Sequence, residues 1–266
     1  MSKCGAEKKS DGLLCEKKGK EQYGGRCGIH KNYEPSVKKR GVKTPTVVTP
    51  TVKTVGRLDN LVTTILPDPN CYVEQLLILP NEIQISTPEL FEEIWDLHPD
   101  ELGTGVMFGN EISFPRWQGA FGMNYYFTGE DHKARSFDEH PFLTTLLEWV
   151  KKDSGIDYNS LLINWYEDGN HYIGYHSDNE KDLKVLDNGT IAPIYSFSYG
   201  QDRDFYIRSN KKSAYPGFKL NLVVPNNSCI IMCGSMQNYY KHSVPKRMGK
   251  KKLQRRINIT FRLMSQ

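Results

Sequence analysis

Apolar residues along this chain follow two different periods. In "STPELFEEIWDLHP", Leu90, Phe91, Ile94 and Trp95 fall on one face at helical spacing. Thr87 stands at the N-cap position, Pro88 at the first helical position, and Pro99 lies beyond the end. A second helix is predicted in "HPFLTTLLEWVKKDSG", ending near Gly155. Beyond it the period shortens. The segments "LLINWY", "YIGYHSD", "APIYSFSYG", "RDFYIRS", "FKLNLVVP", "SCIIMCG", "KHSVPK" and "RINITFRL" are short, alternating or rich in β-branched residues, and bounded by Gly, Asn and Pro. Helices followed by about eight short strands predict a mainly β chain with flanking helices, α+β in class: a sandwich or jelly roll buttressed by helices on one side. The longest apolar runs, "YVEQLLILP" and "FKLNLVV", read as core elements. Neither approaches the ~18 residues of a membrane span.

The first 57 residues break this pattern. Residues 1–31 hold Cys4, Cys15, Cys27 and His30, the last two as "CGIH", a natural chelate. Four nitrogen and sulfur ligands suit tetrahedral zinc, and a segment this short needs a staple if it is to fold. A zinc knuckle is therefore expected over 1–31, with a basic tail carrying incidental cysteines as the alternative. Residues 32–57, "NYEPSVKKRGVKTPTVVTPTVKTVGR", are rich in Pro, Thr, Val and basic residues. They read as a linker, either lying along a phosphate backbone or acting as a solvated spacer. The body is expected to span 58–266.

Charged residues make up 25% of the chain and hydrophobic ones 38%, which suits a soluble globular body. The formal net charge of +4 permits nucleic-acid binding without demanding it. The opening "MSKCGAEKKSDGLLCEKKGK" has no apolar core of a secretion signal. A reducing intracellular compartment is expected, with nucleus and cytoplasm both open. The six cysteines are then expected as thiols or metal ligands rather than disulfides. A monomer without membrane attachment is expected.

Candidate chemistry begins at "GYHSDNEKDL", where His176 and Asp178 stand two apart. Alone, such a pair is as good a polar turn as a metal site. A third ligand is offered by His242 in "YYKHSVPK", 64 residues after Asp178. That interval has room for about four or five short strands, and a jelly roll brings such distant strands together. Two histidines and one carboxylate on one face of an octahedron leave positions for a cosubstrate and dioxygen. In "RRINITFRL", Arg256, Asn258, Thr260 and Arg262 alternate with Ile257, Ile259 and Phe261, the period of a half-buried strand. Two arginines on one face call for an anion, and a dicarboxylate such as 2-oxoglutarate would serve. A polar strand face turned to solvent is the plainer alternative.

Taken in order, "INWY", "GYHSDNE", "KHSVPK" and "RRINITFR" resemble the AlkB family of Fe(II)/2-oxoglutarate-dependent dioxygenases, in its DNA-alkylation-repair branch. The resemblance covers residues from about 100 to 264. It implies a double-stranded β-helix with iron held by His176, Asp178 and His242. It implies that Arg256 pairs with the distal carboxylate of 2-oxoglutarate, helped by Tyr166. Asn164 and Arg262 would stand at the metal-chelating end, and Asn258 at another cosubstrate contact. In "MFGNEISFPRWQGAFGMNYYFTG" it implies a lid. There Tyr125 and Phe127 match an aromatic pair, Phe127 stacking on the damaged base opposite the His176 ring. Without the resemblance, both would be read as core packing on a strand. Glu180 would face the base edge and Arg116 would lie close to the DNA strand. Phe108 would act as an apolar finger in the base stack. The basic loop "KRMGKKKLQRR" would track phosphates.

The activity so implied is removal of methyl groups from 1-methyladenine and 3-methylcytosine in DNA, with duplex as the expected form: formaldehyde is released and 2-oxoglutarate becomes succinate. Two other readings stand beside it: demethylation of RNA or single strands, and a catalytically idle module that binds nucleic acid or a partner.

Overall fold

The computed structural model describes residues 51–53, 60–107, 109–127, 130–249 and 252–265. The expected zinc ligands Cys4, Cys15, Cys27 and His30, most of the linker, and Phe108 lie outside the described residues.

Both predicted helices form. In α1 (Pro88–Trp95) the Thr87 hydroxyl accepts from the Leu90 N–H at 3.2 Å, which satisfies one of the free donors of the first turn. In α2 (Pro141–Ser154) the cap is the His140 ring, which accepts from the Phe142 N–H at 3.1 Å. Gly155, left-handed at φ 71°, ends it.

The strands before α2 are β1 (Thr51–Lys53), β2 (Leu61–Ile65), β3 (Cys71–Leu76), β4 (Thr104–Met107), β5 (Asn110–Ser113), β6 (Trp117–Phe121), β7 (Tyr125–Phe127) and β8 (Glu130–His132). After α2 come β9 (Ser160–Tyr166), β10 (Ile173–His176), β11 (Ile194–Gly200), β12 (Arg203–Ser209), β13 (Lys219–Val224) and β14 (Ser228–Gly234). A short helix, α3 (Met236–Tyr239), leads into β15 (Tyr240–Val244), and β16 (Arg256–Arg262) follows. An eight-stranded sheet runs β1-β2-β3-β14-β11-β16-β9-β6, and a four-stranded sheet runs β10-β15-β12-β13. The pairings within both are antiparallel. The ribbons β4-β5 and β7-β8 stand apart from them.

Two buried layers follow from this order. One lies between the large sheet and the helices, where Ile94, Leu143, Leu146 and Val150 meet Ile163, Phe197, Ile257, Ile259 and Phe261. The other lies between the sheets and includes Val73, Ile194, Ile230, Phe205, Ile207 and Val244. Each such side chain stabilises the fold by about 1.5–3 kcal/mol relative to exposure.

Two expectations are corrected here. β16 is not half-buried: all seven of its residues are buried, because its apolar face meets the helix layer and its polar face meets the space between the sheets. The linker expected through residue 57 already contains a strand, since β1 pairs with β2 through Thr51↔Ile65, Val52↔Thr64 and Lys53↔Thr63.

Candidate metal centre

The last residue of β10 and the middle of β15 are direct partners: His176 pairs with His242. This register brings together residues far apart in the chain. Asp178 follows as the chain leaves β10. Ligand atoms of the three residues all lie within 4.8 Å of one another. Nε2 of His176 is 3.4 Å from Asp178 Oδ1, and Nε2 of His242 is 3.9 Å from the same oxygen. Nδ1 of His176 lies 2.9 Å from the Gly174 carbonyl. A carbonyl only accepts, so Nδ1 carries the proton and the Nε2 lone pair faces the carboxylate. The His242 ring stacks on Phe205, with centroids 5.3 Å apart.

Electrostatics keep these groups in ligand form. Burial drives the His242 imidazole down to about 3, with His176 pushing the same way, so it is neutral at physiological pH. Burial alone would raise the Asp178 carboxyl. Arg262, whose Nη2 sits 3.0 Å from Asp178 Oδ2, and the His176 and His242 rings together outweigh it, and the carboxyl is held well below its usual range. Arg262, which the resemblance put at the metal-chelating end, thus contacts a candidate ligand.

The same cavity is lined by Tyr166, Asn164, Arg256 and Asn258. Arg256 is 2% exposed. Its Nη2 donates to Ser198 Oγ at 2.7 Å, while Nε and Nη1 have no acceptor among the described residues. Its guanidinium carbon lies 5.0 Å from the centre of the Tyr166 ring. Burial lowers its pKa to about 10, with Tyr166 opposing, so the cation persists at neutral pH. A buried cation with unmatched donors is costly unless an anion completes it. The donor set therefore fits a carboxylate ligand, and the triad fits a divalent metal.

Other expected residues fall less simply. Asn258 gives its amide hydrogens to Ser196 Oγ and the Phe197 carbonyl, at 2.9 and 2.7 Å, and so also ties β16 to β11. Asn164 Oδ1 accepts from Arg116 Nε at 2.8 Å. Arg116, expected beside a DNA strand, is instead 3% exposed and lines the cavity, because β6 pairs with β9 and turns it inward next to Asn164. Glu180 lines a neighbouring hollow shared with Asp178 and Gln237. Tyr125 and Phe127 are the two ends of β7. In the basic loop, Arg247 is paired with Asp204 and Arg255 with Glu92, at 2.6 and 2.7 Å. Arg256 is buried, so exposed Lys246 and Lys252 are what remains free to meet phosphates among the described residues.

Sequence reading missed Gln118, Ser196 and Ser198, which also line the cavity or bond its residues. Ser196 and Ser198 had a signal, since they alternate with Tyr195, Phe197 and Tyr199. Gln118 had none before its pairing with Asn164 was known.

The family model described as the 2OG-Fe(II) oxygenase superfamily matches residues 105–262. Among curated relatives, the protein named "DNA oxidative demethylase ALKBH2" from Bos taurus is 32% identical over 184 residues, covering 65% of this chain and 63% of that protein. The chain thus spans a little under two thirds of that relative's length. The Homo sapiens protein of the same name is 32% identical, with 65% of this chain and 67% of that protein covered. "Alpha-ketoglutarate-dependent dioxygenase alkB homolog 3" from Rattus norvegicus is 32% identical over 127 residues, or 46% of this chain and 41% of that protein. With a match that runs from β4 to the end of β16 and takes in all three candidate ligands, the chain belongs to the 2OG-Fe(II) oxygenase superfamily and, within it, to the AlkB family.

Proposed function

We propose that the protein is an oxidative demethylase that removes methyl groups from 1-methyladenine and 3-methylcytosine in DNA. It would release formaldehyde while 2-oxoglutarate is converted to succinate. The observation that carries this is Arg256: a buried cation with two donor nitrogens, Nε and Nη1, unmatched among the described residues, in the cavity that also holds the His176, Asp178 and His242 triad. The names of the relatives supply the substrate class.

Fe(II), with dioxygen and 2-oxoglutarate, supplies an oxidant able to hydroxylate an unreactive methyl C–H bond. His176, Asp178 and His242 would hold the metal. Arg262, with His176 and His242, keeps Asp178 ionised against its burial, and burial keeps His242 unprotonated. Arg256 would grip the distal carboxylate of the cosubstrate with a two-pronged hydrogen bond, its guanidinium resting on Tyr166. The two sheets shield this end from water, which strengthens the pairing. Alkylated duplex DNA is the proposed partner of a monomer. Phe108, Tyr125, Phe127 and Glu180 would meet the flipped base and its surroundings. The proposal is tested by mass spectrometry of oligonucleotides carrying 1-methyladenine, as duplex, single strand and RNA. Loss of the methyl group that requires 2-oxoglutarate, fastest on duplex DNA, is expected. Methyl loss from RNA alone would replace DNA as the substrate.

A further inference from the structure

The Asp178 ligand leaves its sheet before it reaches the site. β10 stops at His176, so Ser177 and Asp178 have no ladder partner among the described residues. Both are held by the segment that leads into β15. The Ser177 hydroxyl donates to the Tyr240 carbonyl at 2.7 Å, and the Asp178 N–H donates to Gln237 Oε1 at 2.9 Å. Gln237 is itself buried, and its Nε2 faces Met232 Sδ at 3.4 Å, so the amide is fixed at both ends. From the other side, Arg262 holds the Asp178 carboxylate. The backbone and the carboxylate of one ligand are therefore clamped separately.

The two histidines are held differently. His176 is oriented by the Gly174 carbonyl, but Nδ1 of His242 has no partner among the described residues, and its ring is held by stacking. Metal ligands usually owe their orientation to such outer contacts. Gln237 lies five residues before His242 on one continuous run. The same piece of chain thus carries one ligand and holds another.

We propose that Gln237 is a positioning residue that sets Asp178 against the metal through the Asp178 N–H. The proposal rests on the metal reading given above. An uncharged acceptor suits the task, because it satisfies a buried N–H without adding charge beside Asp178. Leucine would leave that N–H unmatched and the loop free to shift.

The test is Mn(II) binding to the full chain, read from the electron paramagnetic resonance of free Mn(II), with Asp178→Ala defining the background. Gln237→Leu is expected to weaken binding by about tenfold or more, the usual effect of losing an outer contact. Gln237→Glu keeps an acceptor but adds charge beside Asp178, and is expected to recover binding in part. If Gln237→Leu yields no folded protein, Gln237→Met takes its place. Mn(II) affinity in Gln237→Leu within about twofold of the parent overturns the role of Gln237 alone. Equal weakening in Gln237→Leu and Gln237→Glu overturns the acceptor mechanism. A parent chain that binds no Mn(II) overturns the metal reading itself.

Discussion

Arg256 and Arg262 sit six residues apart on one strand, yet their surroundings give them different work. Arg262 has a carboxylate at 3.0 Å and holds a candidate ligand. Arg256 has a serine hydroxyl, an aromatic face and two open donors. Replacing Arg256 by Lys keeps a charge and loses the planar fork. Hydrogen bonds to charged groups contribute about 1.5–3 kcal/mol. Arg256→Lys should therefore raise KM for 2-oxoglutarate roughly 10- to 100-fold by that arithmetic, with KM for DNA little changed. An unchanged KM for 2-oxoglutarate in steady-state assays would show that the fork is not used.

At the scale of elements, the same polar alternation that marks β16 in the sequence misled about its surroundings. A period of two ordinarily means one wet face. Here the polar face of Arg256, Asn258, Thr260 and Arg262 lines an internal cavity, so burial could not be read from the pattern. All eight strands read after Gly155 formed, six of them around buried apolar residues, while β10 and β13 are mostly part-exposed and are held by their pairing with β15 and β12. The ribbon β4-β5 was not legible: its sequence "NEIS" is largely exposed and carries no such face. The triad was legible as residue types and order, and only the pairing of β10 with β15 showed that His176 and His242 are neighbours. Glycines differ at this scale too. Gly155 has φ 71° and open space around a would-be Cβ, so Gly155→Ala should cost about 1–2 kcal/mol for the left-handed backbone alone. Gly234, just ahead of α3, has φ 63° and would place a Cβ 2.0 Å from the Asn70 carbonyl oxygen. Gly234→Ala should be clearly the more destabilising in urea denaturation. Equal midpoints for the two variants would contradict the close approach of β14 and the Asn70 turn.

For the molecule as a whole, burial sets an alkaline limit. Burial, with Asp68 adding, pushes the Cys71 thiol up to about 12, and burial raises Cys229 and the phenols of Tyr158, Tyr199 and Tyr240 as well. These groups stay protonated when folded and ionise from about pH 8.5 to 10 when unfolded. Their contribution to stability is full below that range and is lost as pH rises through it toward the folded values. Urea midpoints should therefore fall between pH 8 and pH 10.5, and Cys71→Ala should reduce the slope. A flat profile would show that these groups are not buried as described.

The most direct measurement is formaldehyde release from duplex DNA bearing 1-methyladenine, with Fe(II), ascorbate and 2-oxoglutarate, in the parent chain and in Asp178→Ala. Release that requires 2-oxoglutarate and disappears in Asp178→Ala is the predicted result. Release that persists in Asp178→Ala, or none from the parent chain, would contradict a demethylase built on His176, Asp178 and His242.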